Sequence, residues 1–478
     1  MEILITILNW FSQNILQKPA FFVGLLVLIG YALLKKSAHE VFAGFIKATV
    51  GYLILDVGAG GLVRTFRPVL AALDKRFGLN AAVIDPYFGL TAANQKLTEM
   101  GFIEVATTAL LIGFGVNILL VALRKITKVR TLFITGHIMV QQAATVSVFV
   151  LLLIPALQGS TAALYVGLIC GLYWAVSSNL TVEATQRLTG GGGFAIGHQQ
   201  QFALWFVDKV APFFGKKEDN LDNLKLPRFL NIFHDTVVAS ATLMIVFFGA
   251  ILTVLGPEIM ADKAVITTGD VYNPAKQAFF MYILQTSLTF SVYLFILMQG
   301  VRMFVAELTN AFQGISSKLL PGSFPAVDVA ASYGFGSSNA VLSGFAFGLI
   351  GQLITIGLLV IFKNPILIIT GFVPVFFDNA AIAVYADKRG GWRAAVVLSF
   401  ISGILQVALG ALAVSLLGLV GGYHGNIDFV LPWLPFGYVF ENLGILGYVL
   451  VCLFFLILPQ LQYARAKDKE KYYRGETQ

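Results

Sequence analysis

The feature that most limits what this chain can fold into is the recurrence of apolar stretches as long as a bilayer is thick. A crossing needs about 20 mostly apolar residues. Stretches of that kind lie near 20–36, 40–57, 102–123, 131–157, 161–179, 230–256, 278–304, 340–362, 365–385, 394–421 and 443–461. Only 12% of the 478 residues are charged, against roughly 25% in a soluble domain. The reading is an all-α polytopic membrane protein of about eleven transmembrane helices.

Charge then orients the spans. Lys35-Lys36, the cluster from Arg124 to Arg130, that from Lys216 to Arg228, that from Lys388 to Arg393, and the tail ARAKDKEKYYRG all fall on one side of an eleven-span path. The positive-inside rule makes that side cytoplasmic, and the Lys- and Arg-poor loops 257–277 and 422–442 fall opposite. The C-terminus is therefore expected in the cytoplasm. The net charge of +7 is accounted for by these flanks, which argues against a nucleic-acid partner. The opening MEILITILNWFSQNILQK reads as a retained amphipathic helix rather than a cleaved leader. Cys170 and Cys452 sit alone in apolar segments and read as core packing.

Three glycine-punctuated stretches, 79–95, 184–212 and 323–339, are too polar to face lipid. Irregular backbone at membrane depth must be covered by protein or line a cavity, so they read as re-entrant hairpins or broken helices.

The chain also nearly repeats itself. ITGHIMVQQAATVSV (134–148) and ITGFVPVFFDNAAIAV (369–384) share a frame, and AAVIDPYFG (81–89) resembles PAVDVAASYGF (325–335). The offsets are 243 residues at the aspartates and 235 at the ITG elements. By the charge rule corresponding spans run in opposite senses, so the halves form an inverted repeat. That architecture belongs to alternating-access carriers, with the solute at the repeat interface; a channel needs a lined pore and no paired broken elements.

Ionisable or strongly polar groups inside spans are costly and mark candidate sites. They are Asp56, Asp85, His137, Gln141, Gln142, His198, Gln199, Gln200, Gln201, Asp328 and Asp378. His137 and Gln141, four apart, share a helix face. The run GHQQQ (197–201) follows four glycines, as at a hairpin tip. Gln and neutral His both donate and accept, which suits a hydroxyl-rich ligand; no His and carboxylate spacing suggests a metal, and no cofactor is expected. An intramembrane Gln can equally bond another helix, at about 0.6 kcal/mol on average. The weight therefore rests on the joint cluster of His137, Gln141, His198 and Gln199. His234 beside Asp235 reads as an ion-paired anchor, His424 as an uninformative loop residue. Tyr87, Phe88, Tyr333 and Phe335 could stack on a ring or simply pack.

At TGHIMVQQA, GGGFAIGHQQQFA, KLPRFLNIFHD and QGVRMFVAEL the sequence resembles the ascorbate-specific enzyme IIC family of the bacterial phosphotransferase system, over nearly the whole chain. The resemblance implies an eleven-span homodimer in the inner membrane, with a scaffold domain at the dimer contact and a core domain that moves like an elevator. The corresponding division is 1–57 and 229–304 for scaffold spans, 58–228 and 305–442 for the two core halves, and 443–478 for the last span and tail. The implied solute is L-ascorbate, phosphorylated during uptake from a phosphocysteine on a cytoplasmic IIB partner that IIA recharges. Neither cysteine of this chain would carry that phosphoryl group. The family's ligand contacts fall on Pro86, Tyr87, His137, Gln141, His198, Gln199 and Asp328. Pro86 departs from the expected hydroxyl residue and offers neither N–H nor hydroxyl. Asp328 would repel an anionic ligand unless it accepts from side-chain hydroxyls away from the enolate, or is protonated by burial. Asp378 and Asn379, in the second ITG element, are expected to support the core from the other side. An ion-coupled secondary transporter of a small polyhydroxylated or acidic solute and an intramembrane enzyme with His198 or Asp328 as base are the competing readings.

Overall fold

The computed structural model describes Trp10 and residues 18–77, 80–223, 236–267, 271–371, 373–419 and 421–475. His234 and Asp235 lie outside the described residues. Helices dominate. Among the described residues seven are long and apolar enough to cross a membrane by length and composition: within Ala38–Gly58, Ile103–Ala122, Gly136–Leu153, Ala162–Leu180, Asn339–Ile361, Pro374–Leu417 and Ile427–Arg465. Val23–Leu33 and Met244–Leu255 are shorter apolar helices.

The eleven expected spans map onto these unevenly. The stretch 365–385 divides between a strand, Ile366–Thr370, a π-helical turn, Pro374–Asp378, and the start of helix Asn379–Leu417. That helix also carries most of 394–421 and is bent where Gly391 takes φ 69°. A glycine is needed at that bend because a side chain at positive φ is strained. The stretch 278–304 is part of a 41-residue helix, Phe279–Leu319.

The mostly helical chain is compatible with the expected all-α membrane protein, and short strands are added to it. Among the described residues there are six short strands: β1 (Asn80–Ile84), β2 (Thr131–Phe133), β3 (Ala195–Ile196), β4 (Phe324–Val327), β5 (Ile366–Thr370) and β6 (Gly421–Tyr423). They form two parallel three-stranded sheets, ordered β5-β1-β6 and β2-β4-β3. Each sheet takes its centre from one half of the chain and both flanks from the other. Exchanging β1 with β4, β2 with β5 and β3 with β6 turns one order into the other, so the repeat seen in sequence is also a repeat of pairing.

Sheet edges are a liability inside a membrane protein, where no water satisfies free backbone groups. Side chains close the edges of β2-β4-β3. Asn117 Nδ2 donates to Thr131 O at 3.0 Å while its Oδ1 accepts Phe133 N–H at 2.8 Å. On the opposite edge Thr181 Oγ1 accepts Ile196 N–H at 2.9 Å.

Among the described residues, buried apolar side chains collect in a small cluster of Val182, Ala195, Phe324 and Ala326 and in two large ones. One is built largely from residues 20–72 and 244–311. The other gathers around helices Gly136–Leu153, Ala162–Leu180, Asn379–Leu417 and Trp433–Arg465. Helix Gly136–Leu153 is 83% buried over its apolar window, so its span-like sequence packs against protein rather than lipid. Small residues allow the closest approaches, as they do between membrane helices: a Cβ on Gly403 would lie 2.0 Å from Gly348 O.

Candidate functional site

Parallel strands place their carboxyl ends on one side, and the residues following β2, β4 and β3 meet there. β2 runs through Ile134 and Thr135 into helix Gly136–Leu153, which sets His137 in the first turn and Gln141 one turn further. β4 ends at Val327, so Asp328 follows directly. β3 passes through Gly197 to His198, Gln199 and Gln200 before helix Gln201–Val210. Gly197 has to be small, because a Cβ would lie 2.5 Å from Ala326 O of the central strand.

His137 Nε2 lies 3.5 Å from Asp328 Oδ2, and His198 Nε2 lies 3.9 Å from the same oxygen. All three residues are 3–4% exposed. Asp328 Oδ1 is occupied separately, accepting Ala330 N–H at 2.9 Å. The His137 ring meets Phe304 edge-on at 5.2 Å, and Phe377 stacks on His198 at 6.1 Å. Phe304 can sit there because helix Ala38–Phe77 carries Gly51, whose added Cβ would be 2.7 Å from Phe304 N.

The hydrogen-bond network fixes which ring nitrogen can donate. Gln199 N–H and His198 Nδ1 both meet Gln200 Oε1, at 2.8 and 2.7 Å. A carbonyl oxygen only accepts, so Nδ1 carries the proton and the neutral His198 ring presents Nε2 as an acceptor. That acceptor faces the Asp328 carboxylate, another acceptor. The pair calls for a donor between them, and a hydroxyl supplies one. Buried Thr135 Oγ1 and His137 Nδ1 have no hydrogen-bond partner among the described residues.

A second network lies one helical turn deeper. Gln199 Nε2 donates to Gln141 Oε1 at 2.7 Å, and His424 Nε2 bonds Gln199 Oε1 at 2.5 Å. His424 Nδ1 in turn meets Thr145 Oγ1 at 2.9 Å. Because Gln199 Oε1 accepts, His424 donates from Nε2, and the Gln141 amide keeps its N–H groups for another partner. Gln142 is structural: it donates to His198 O at 2.8 Å and accepts from Trp174 at 2.7 Å.

The other aspartates do different work. Asp85 accepts Tyr87 N–H at 3.0 Å and Val373 N–H at 3.2 Å. Asp378 accepts from Asn426 at 2.7 Å, Ile427 N–H at 2.7 Å and Gln406 at 3.0 Å. Asn379 donates to Val375 O at 3.1 Å across a π-helical turn. Asp56 is exposed on helix Ala38–Phe77.

Strand register explains why the two repeat-related aspartates diverge. Ala82 pairs with Ile368 and Gly421, whereas Ala326 pairs with Phe133 and Ala195. The equivalent strand residues are thus 244 apart, one more than the aspartates. Ile84 is the extra residue. A one-residue step reverses the face a strand side chain takes, so Asp328 occupies the register of Ile84. One carboxylate is thereby placed beside two imidazoles and the other on backbone N–H groups.

Of the seven site residues expected from sequence, His137, His198 and Asp328 come together, with Gln141 and Gln199 bonded to each other nearby. Pro86 and Tyr87 follow β1 in the other sheet, and neither shares a hydrogen bond or ring contact with the trio among the described residues. Tyr333 donates to Phe377 O at 2.8 Å, Phe88 packs on Phe66 and Phe335 on Phe194, which favours packing over ligand stacking. His424, uninformative in sequence, is fully buried and central. Its offset of 226 from His198 equals that of Gly421 from Ala195, a third element of the repeat that would have revealed it.

Sequence spacing gave no metal motif, yet three separate strands bring two His and one carboxylate atom within 4.8 Å of one another. The donor set is one transition metals accept. It lacks the usual support among the described residues, since a ligating His normally donates its second nitrogen to a partner and His137 Nδ1 has none there. The polar shell around it matches a hydroxylated solute better.

Apolar helices of this length and number define a multi-pass integral membrane protein. The family model described as the sugar-specific permease component of the PTS system matches residues 14–429, and the chain belongs to that family. Components of this family are transport subunits rather than enzymes. The chain is similar to the ascorbate-specific PTS system EIIC component of Mycoplasma pneumoniae, at 35% identity over 429 residues. The match covers 83% of this chain and 65% of that protein, so the chain spans slightly less than two thirds of the relative's length.

Proposed function

We propose that this chain binds L-ascorbate and carries it inward across the bacterial cytoplasmic membrane, where a IIB partner recharged by IIA phosphorylates it. The observation that carries the reading is the acceptor pair formed by Asp328 Oδ2 and His198 Nε2, 3.9 Å apart. The side-chain hydroxyls of ascorbate donate to this pair, away from the ring. The enolate then lies toward the Gln141 amide and the first turn of helix Gly136–Leu153, whose free N–H groups and dipole favour negative charge. This arrangement removes the conflict between an anionic solute and a carboxylate. Pro86 and Tyr87 close on the ligand when the two sheets' ends approach.

A site only 3–4% exposed must open to exchange solute. Movement of a core carrying both sheets against a scaffold of helices Ala38–Phe77 and Phe279–Leu319 supplies that opening, with scaffold surfaces joining two copies as a homodimer. The C-terminal tail faces the cytoplasm in this reading. Uptake of labelled ascorbate into vesicles tests it: uptake should require the loaded IIB and IIA partners and persist when ion gradients are collapsed. Uptake by the chain alone that follows an ion gradient would establish a secondary transporter instead.

A further inference from the structure

Away from the solute site, helix Gln201–Val210 separates two hollows that meet at Trp205. The first is a cleft of about 630 Å³ beside the Lys- and Arg-rich tail, containing Arg187, Lys209 and Arg465 together with Glu183 and Asp208. The second is an apolar groove of about 270 Å³, walled by Phe206, Ile382, Leu398, Ile401, Leu405 and Leu431 among others. Phe206 and Ile401 are exposed, as lipid-facing side chains are.

The cleft's charges do not cancel. Glu183 is held by Arg130 at 2.8 Å and by Gln462 at 2.7 Å. Asp208 bonds Arg187 and also meets Arg389 at 3.5 Å. Both carboxylates are thus neutralised, Glu183 by Arg130 from outside the cleft and Asp208 by Arg187 within it and Arg389 from outside. Lys209 lies 3.9 Å from Asp208 with 57% of its side chain exposed, and Arg465 forms no ion pair among the described residues. A basic hollow that shares Trp205 with an apolar groove whose rim is exposed has the polarity of one phospholipid molecule.

We propose that this is a binding site for an anionic phospholipid, its phosphate in the basic cleft on Lys209 and Arg465 and an acyl chain in the groove beyond Trp205. Basic pockets between membrane helices recognise anionic headgroups in this way. The occupant ties helix Gln201–Val210, which follows the His198–Gln199 segment directly, to the end of helix Trp433–Arg465. It is thereby placed to steady the solute site without touching it.

The test uses the full chain in phosphatidylcholine bilayers containing a small fraction of bromine-labelled lipid. The Trp205 signal is taken as the difference between wild type and Trp205→Phe. Brominated phosphatidylglycerol should quench Trp205 more strongly than brominated phosphatidylcholine at equal mole fraction. In Lys209→Gln/Arg465→Gln the preference should fall roughly tenfold or more, as expected for two cations near a headgroup. Equal quenching by both lipids overturns the proposal. So does a preference that survives the double substitution. Relief of quenching by soluble glycerol phosphate would assign the cleft to a soluble phosphate, and a preference seen only with IIB present would assign it to a protein partner; each contradicts a lipid site.

Discussion

Replacing Asp328 by Asn isolates the contact on which the account depends. The substitution keeps Oδ1, which accepts Ala330 N–H at 2.9 Å, so the turn after β4 survives. It converts Oδ2, 3.5 Å from His137 and 3.9 Å from His198, from a charged acceptor into a donor. The new amide N–H satisfies His198 Nε2, so the hydroxyl that should bridge the acceptors loses both. A hydrogen bond to a charged group is worth about 1.5–3 kcal/mol, which sets a loss of roughly 10- to 100-fold in ascorbate affinity. Equilibrium binding of labelled ascorbate to purified protein measures it, with thermal unfolding as the control for folding. An Asp328→Asn protein that stays folded and binds ascorbate within twofold of wild type would refute the argument.

Gln199→Leu should lower stability as well as binding, because it strands His424 Nε2 and Gln141 Oε1 in a buried setting at about 1–3 kcal/mol each; a melting temperature equal to wild type would count against the relay. Gly403→Val places a side chain where a Cβ already meets Gly348 O at 2.0 Å, so the helices must part. The variant should elute as aggregate or melt well below wild type on size-exclusion and thermal assays. In the tail, Asp468 is held below the ordinary carboxylate range, chiefly by the backbone N–H of Lys471 and also by that of Glu470. A depressed carboxylate stabilises above its unfolded pKa, about 4, and the benefit disappears as pH falls through the lower folded value. Hydrogen exchange at Glu470 and Lys471 should therefore be insensitive to pH-dependent fraying at neutrality and show loss of protection only in acid.

Much of the site was legible because burying polar groups in apolar sequence leaves a signature. His137 and Gln141 follow from a helical spacing of four, and the GHQQQ run stands out against its glycines. The repeat was visible too, from ITG and from the aspartates. The strands were not. β2 and β3 are three and two residues long, too short for alternation to register, and β5 and β1 read as continuous apolar sequence, as strands buried on both faces do. Without strand register, the 243-residue spacing of Asp85 and Asp328 made them look equivalent. The extra Ile84 separates their roles, and only pairing reveals it. His424 was missed because its polar partners, Thr145 and Gln199, come from distant segments. The grouping of two imidazoles with one carboxylate was missed likewise, since it is made by three strands meeting at one end of a sheet.

The most direct test of the central claim is equilibrium binding of labelled L-ascorbate, against competing galactitol and other polyols, to purified wild type and His137→Ala. Saturable binding to wild type is expected, displaced by unlabelled ascorbate and far less by polyols, with a marked loss in His137→Ala, which removes the imidazole lying 3.5 Å from Asp328. Ascorbate binding unchanged in His137→Ala, or displacement by a polyol as effective as by ascorbate, would contradict that claim.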